Sequence, residues 1–519
     1  MPPVTTTAHS TAHIPDQWVY YGLLGLLVWA PLPLASNRIW AVGILLAWAL
    51  ALLAGAIYSW RHHPSLALSR LRDFRWPLML LGAYVLLTQL QSLPLPGAWL
   101  AALSPESYRV QSAAGLAEAG LAYRLSIDPY HSRLYASLSV VYFIAFLVAA
   151  LTLRQSQRIE RLAEVLVWCG LAHAVLGAVL YSFEAQYRLF FTEVSHDKVI
   201  GTFVNRNHFA GYMELCLAVG IGLMLSRLGN GSAGSQGWRH RLVAALRFLI
   251  SPKMRLRLML VIMVIALVLT RSRMGNTAFF SAMLIVGVIA LILSRRMAPA
   301  TLGLIASLVI IDIFIIGTWV GVEKVVQRIQ NTPLLAETGE TGLPEAEPAQ
   351  TGRAAAAIKP PTLSMREQSL EERAVPAAYS LGLIRDFAAF GSGGGSFYNA
   401  FSRYRPAEID LFYDHAHNDY AEIAADTGVL GLLLLGGVTL LAAGRALWVL
   451  ARRRSPLARG MAFAVLMAIV ALAIHNTVDF NLQIPANALT FTVILAMAWC
   501  VALLPRGSHK HALAPASPA

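Results

Sequence analysis

The sequence predicts an all-α polytopic membrane protein with about twelve transmembrane helices, both termini cytoplasmic, and one large partly helical external loop between spans 9 and 10. Three observations carry this reading. The 519 residues are 57% hydrophobic and only 13% charged, with mean hydropathy +0.57, values that belong to a membrane protein rather than a soluble domain. Twelve apolar runs approach the roughly 17–25 residues that a bilayer requires. The basic residues are distributed unequally between alternate loops, as the positive-inside rule demands.

In chain order the runs lie near 17–35, 38–58, 76–93, 134–153, 162–183, 207–226, 256–271, 274–294, 300–322, 428–450, 457–477 and 484–505. The apolar segment 242–252 is too short to span and reads as interfacial. With this alternation, 23 of the 41 lysines and arginines fall in loops assigned to the inside. The net charge of +13 is therefore a topology signal, and no nucleic-acid partner is expected. The first 17 residues have no basic leader and no clear cleavage site, so the first helix is expected to remain as a span. Cys169, Cys216 and Cys500 all fall in expected spans and read as small buried apolar residues, not as a disulfide or metal framework.

The expected organisation is a membrane domain over 1–322, a large external loop over 323–427, a second membrane segment over 428–505 and a cytoplasmic tail over 506–519. Within the loop, 331–372 is rich in Pro, Ala, Glu and Thr and reads as flexible. The 373–427 stretch is dense in Phe and Tyr and reads as an ordered cap. Shorter external segments are expected at 184–206, at Arg271–Arg273 and at 475–486.

The chemistry collects on the external side. Lys198, Arg206, Arg271, Arg273, Arg385, Arg403, Arg405, His415 and His417 lie where the positive-inside rule does not call for cations. Fixed guanidinium groups at a membrane edge suit a lipid-linked phosphate or diphosphate, since their planar fork pairs with phosphate oxygens. Headgroup binding or snorkelling is the alternative for any one of them. His417 can serve as a general base near neutral pH, with Asp414 or Asp419 to orient it. Alternate residues on an extended strand share a face, so His415 and His417 could also ligate a metal. No third spaced ligand supports that, and no metal is expected. The glycine run from Gly391 to Gly395 lacks the Lys-Ser/Thr of a P-loop and reads as a structural turn.

Five stretches carry a family resemblance. Gly201-Thr-Phe-Val-Asn205-Arg206-Asn207-His208 resembles a GTF-x-N-P-N-H segment. Arg271-Ser-Arg273-Met-Gly275 resembles an S-R-G segment. Arg385-Asp386 with Gly391–Phe397 resembles an R-D…G-x-G-x-x-x-F segment. His417-Asn418, nine residues, then Gly428 and Gly431 resemble a ligase motif. The segment 475–486 resembles a final periplasmic turn. Together, over about 190–505, they are similar to the O-antigen ligase/O-antigen polymerase superfamily of bacterial inner-membrane glycosyltransferases. Lys198 stands where the family often has arginine, Arg206 replaces the proline, and Leu432 replaces a frequent threonine.

The resemblance implies a metal-independent, inverting transfer, without cofactor, of a glycan from undecaprenyl diphosphate to an acceptor hydroxyl at the periplasmic face of a Gram-negative inner membrane. It implies that His417 is the base, and that Arg273 and Arg206 are catalytic cations at the diphosphate. Lys198, Arg271, Asn207, His208, Arg385, Arg403, Arg405, Asp414, His415, Asn418, Asp419 and Asp479 are the expected substrate-binding set. The expected activity is polymerisation of lipid-linked repeat units into O-antigen or exopolysaccharide. Ligation to lipid A-core, or transfer to protein, is the alternative. Expected partners are the lipid-linked donor, a glycan or lipid A-core acceptor and membrane lipids, with a flippase and a chain-length regulator as further candidates. A transporter is the competing class, but it should show charges at the bilayer midplane. Inside the runs there are only scattered acids, such as Glu164, Glu214 and Asp312, and the polar residues instead crowd one face.

Overall fold

The computed structural model describes residues 15–116, 118–183, 198–227, 252–293, 370–406 and 413–505. Among them regular structure is helical throughout, and the one strand-like feature is an isolated bridge between Leu95 and Tyr123. The expected span 300–322 and the segments 242–251 and 331–369 lie outside the described residues.

The first half of the chain supplies α1 (Gln17–Trp29), α2 (Ile39–Trp60), α3 (Pro64–Asp73), α4 (Arg75–Ser92), α5 (Gly97–Leu103), α6 (Pro105–Ala113), α7 (Pro129–Thr152), α8 (Ser156–Ser182) and α9 (Arg206–Arg227). The second half supplies α10 (Pro252–Leu269), α11 (Arg273–Leu293), α12 (Leu370–Asp386), α13 (Phe397–Phe401), α14 (Asp419–Arg452), α15 (Pro456–His475) and α16 (Pro485–Ala502). Eight of these, α2, α7, α8, α9, α11, α14, α15 and α16, are long and apolar enough to cross a membrane.

α1 is shorter than the expected run at 17–35. Its 13 residues rise about 20 Å at 1.5 Å per residue, less than the ~30 Å of bilayer hydrocarbon. Pro31 and Pro33 cannot donate the helical N–H, and Leu34, Ala35 and Ser36 turn in the left-handed region (φ 54°, 59° and 60°). The turn has a use, because the Pro31 carbonyl accepts from the Thr202 hydroxyl at 2.6 Å and so fixes the segment that leads into α9.

Helix starts follow local sequence. Asp128 caps α7 by accepting from the His131 N–H, with Pro129 in the first turn. Asn418 caps α14 and Ser455 caps α15 in the same way, each satisfying an orphan donor. α9 and α16 are the most buried of the long apolar helices and form the centre of the bundle, whereas α14 is the least buried and lies at its edge. α9 and α15 cross where Gly222 meets Gly460. A Cβ on either would fall 2.2–2.3 Å from the other's carbonyl oxygen, so only two glycines allow this backbone contact.

The cap has its own core, built from Leu383, Phe387, Phe397, Phe401 and Tyr413 against Ala416 and Ala425. Phe397 and Phe401 stack at 4.9 Å. The glycine run docks the cap on α14. Ser392 N donates to Ala425 O (2.8 Å), Gly393 N to Asp426 O (3.0 Å) and Gly395 N to the Asp426 carboxylate (2.7 Å). The Gln91 amide donates to the Phe390 and Asp426 carbonyls and accepts from Gly394 N. These N–H groups serve the protein itself, so the run is a structural turn. α14 breaks at Gly428 (φ 71°, ψ 174°), and the Val429 N–H freed there donates to Ala388 O at 2.8 Å.

Candidate active site

Phe480 is the centre of the candidate site. Its ring lies 3.9 Å from that of His415, stacked at 19°. The rings of His208 and His417 stand edge-on at 4.5 Å and 5.2 Å. Three imidazoles from two distant segments thus share one aromatic ring at one end of the bundle.

α14 and the 476–484 loop hold this arrangement. Asp419 N donates to the Asn476 and Asp479 carbonyls, both at 3.1 Å. The Asp419 carboxylate accepts from Leu482 N at 2.8 Å and from the Gln483 amide at 3.4 Å. Asn418 accepts from Ala421 N and donates to Thr477 O at 2.9 Å. Asn418 and Asp419 therefore spend their side chains on joining helix to loop.

His417 has φ 49°, the left-handed region that a residue with a Cβ rarely adopts outside functional or tightly determined turns. Its ring is partly exposed and meets the edge of Tyr413 at 6.3 Å. His415 Nδ1 lies 2.6 Å from Glu422 Oε1, and Glu422 Oε2 accepts from Ala416 N at 2.9 Å. Partial burial lowers the affinity of His415 for its proton, but the Glu422 carboxylate outweighs it and raises the pKa to about 9. Asp414, exposed beside it, acts in the same direction. On α9, His208 Nε2 lies 3.3 Å from Asp479 Oδ1, both side chains buried. Asn207 is buried next to it, and Arg206 is half-exposed in the same helical turn.

Deeper, Glu214 of α9 and His475 of α15 meet at 2.7 Å, each 0% exposed. Gly275 packs against this junction, since a Cβ there would lie 2.7 Å from Ala210 Cβ and 3.3 Å from Glu214 Oε1. The first turn of α11, which carries Arg273, is thereby set against α9. Val199 N donates to Leu269 O at 3.3 Å, which ties the segment carrying Lys198 and Arg206 to the turn carrying Arg271 and Arg273. Both of those arginines are exposed. In the cap, Arg403 pairs with Glu106 at 3.1 Å. Arg385 sits exposed on the last turn of α12, and Arg405 lies half-buried just past α13.

Several residues of this site escaped the sequence reading. Asp419, Glu422 and Asp426 recur at i, i+3 and i+7, one face of α14, and that pattern could have found Glu422 and Asp426. His475 and Phe480 lie in the 475–486 turn already singled out, and Glu214 is one of the acids inside the apolar runs, but nothing local marked any of the three as a site residue. Among the described residues no group of three or more His, Cys, Asp or Glu is placed to hold a metal ion.

Beside the loop lies an apolar groove between α4, α7, α14 and α16. Tyr84, Leu138, Phe146, Leu435 and Phe491 line it, and Leu482 and Gln483 bring it to the residues that hold Asp419.

Residues 258–436 match the family described as O-antigen ligase. Over that stretch the match supports the resemblance to the O-antigen ligase/polymerase superfamily. The O-antigen ligase match takes in Arg271, Arg273, the cap, both histidines of 415–417, and the helix break at Gly428. Lys198, Arg206, His208 and Asp479 lie beyond it, and the fold brings them to it. No curated protein matches the chain.

Proposed function

We propose that the protein moves a glycan from a polyprenyl-diphosphate carrier to an acceptor hydroxyl on the periplasmic face of the inner membrane, and that it acts as a polymerase of lipid-linked repeat units. The observation that carries the reading is the set of imidazoles around Phe480, located at one end of a membrane bundle and beside the joined segments of Lys198, Arg206, Arg271 and Arg273. His417 takes the proton of the acceptor hydroxyl. The acceptor oxygen attacks the anomeric carbon, and the bond to the diphosphate breaks with its electron pair left on the diphosphate oxygen. Arg273, Arg206 and Lys198 stabilise the charge that develops there. The apolar groove seats part of the polyprenyl chain. No nucleotide enters, because the glycosyl–diphosphate bond that breaks already holds the energy. The ligase reading, transfer to lipid A-core, is favoured by the description of the family matched.

The test is transfer by purified protein in nanodiscs from an undecaprenyl-diphosphate-linked glycan, with EDTA and without nucleotide. A ladder of lengthened lipid-linked glycans supports the polymerase. Product on added lipid A-core alone supports the ligase. An intact donor with every acceptor offered overturns both.

A further inference from the structure

We propose that the two histidines of the 415–417 stretch divide the reaction between them: His415, held by Glu422, is a fixed cation that hydrogen-bonds the departing diphosphate, which leaves His417 as the base. This inference rests on the glycosyl-transfer reading above.

The geometry of His415 differs from that of a mobile base. Glu422 uses one oxygen on Nδ1 and the other on Ala416 N, which fixes the ring edge. The Phe480 stack fixes the ring plane. With Nδ1 engaged, Nε2 is the nitrogen left to meet a ligand, on a side chain 28% exposed. A rigid N–H held against a buried carboxylate suits an anion. The charge partners agree. Glu422, Asp414 and Asp426 all favour the protonated ring, and it interacts with Asp419 at the start of α14. Across Phe480 stand His417 and the His208–Asp479 pair. An imidazole with a pKa raised to about 9 is protonated at neutral pH and cannot accept the hydroxyl proton. In the proposed step the acceptor proton goes to His417, and the electron pair of the broken C–O bond stays on the diphosphate, to which His415 Nε2–H donates.

The experiment measures binding of undecaprenyl diphosphate, without acceptor, to nanodisc-embedded full-length protein from pH 6 to 10, with transfer assayed in parallel. Wild-type affinity holds to near pH 9 and then falls. H415Q loses at least 10-fold in affinity at pH 7, and H415K recovers most of it. E422Q binds at pH 6 but weakens with a midpoint about two pH units lower than wild type. H417Q still binds the diphosphate but loses transfer. Wild-type affinity in H415Q, or an unmoved midpoint in a folded E422Q, overturns the proposal. If wild type neither binds nor transfers, it is the glycosyl-transfer reading that fails.

Discussion

Glu422 reaches back seven residues to grip His415, its Oε1 2.6 Å from Nδ1, while its other oxygen holds Ala416 N. Both ends of the contact flank the His417-Asn418 motif, so one carboxylate shapes the chain on which the proposed base sits. That bond also predicts how stability depends on pH. His415 has its pKa raised from 6.5 to about 9 in the folded protein. The folded state therefore holds the proton more tightly, and the stabilisation is fully present below about pH 6.5. It is lost as pH rises towards 9. The melting temperature should decline over that window, and E422Q should flatten the decline. A wild-type melting temperature level from pH 6 to 9 would count against the pairing.

Replacing His417 with Gln should lower transfer about 10²–10⁴-fold, the usual contribution of a general base. Melting temperature and detergent elution should stay near wild type, because the ring lies partly exposed at the rim. Arg273→Gln should cost about 10²–10³-fold. Salt should weaken donor binding in the wild type more than in this variant, as screening acts on exposed charge.

Glu214 and His475 are both fully enclosed, so removing one partner strands the other. Glu214→Ala should destabilise the fold by about 3–5 kcal/mol, read by denaturation in detergent. Glu214→Gln, which keeps an acceptor in place, should cost clearly less. Equal losses in the two variants would show that charge rather than hydrogen bonding governs the junction.

Gly428→Ala should loosen the cap. Its backbone stands at φ +71°, and a Cβ there would lie 2.2 Å from Ala389 O. The left-handed strain alone is of order 1–3 kcal/mol, before the clash is relieved. Limited proteolysis should cut the 386–406 region faster in this variant, and also in Gln91→Ala, which loses the amide that bonds Phe390, Gly394 and Asp426. Unchanged cleavage in both would mean that the cap is held elsewhere.

Filling the apolar groove should discriminate between donors. Val438→Phe or Leu435→Trp narrows the space between α14 and α7. Transfer from an undecaprenyl donor should fall at least 10-fold, with smaller loss from a short-prenyl analogue. An equal loss for both would remove the groove from the proposed donor path.

The sequence by itself determined the helical membrane class, since apolar runs and loop charge act over local stretches of chain. It also marked the imidazole-bearing motif, because ionisable residues at a membrane edge are costly to desolvate. It misjudged the first run, where Pro31 and Pro33 stop α1 early. Tertiary structure alone decided that His208 and His415, more than 200 residues apart, share Phe480. It decided that the glycine run, already read as a structural turn, clasps α14, and that Glu214 finds His475 inside the bundle. Such pairings depend on which helices cross and at what depth. The α9–α15 crossing, where Gly222 meets Gly460, sets that depth through backbone contact, and no periodicity within either helix records it.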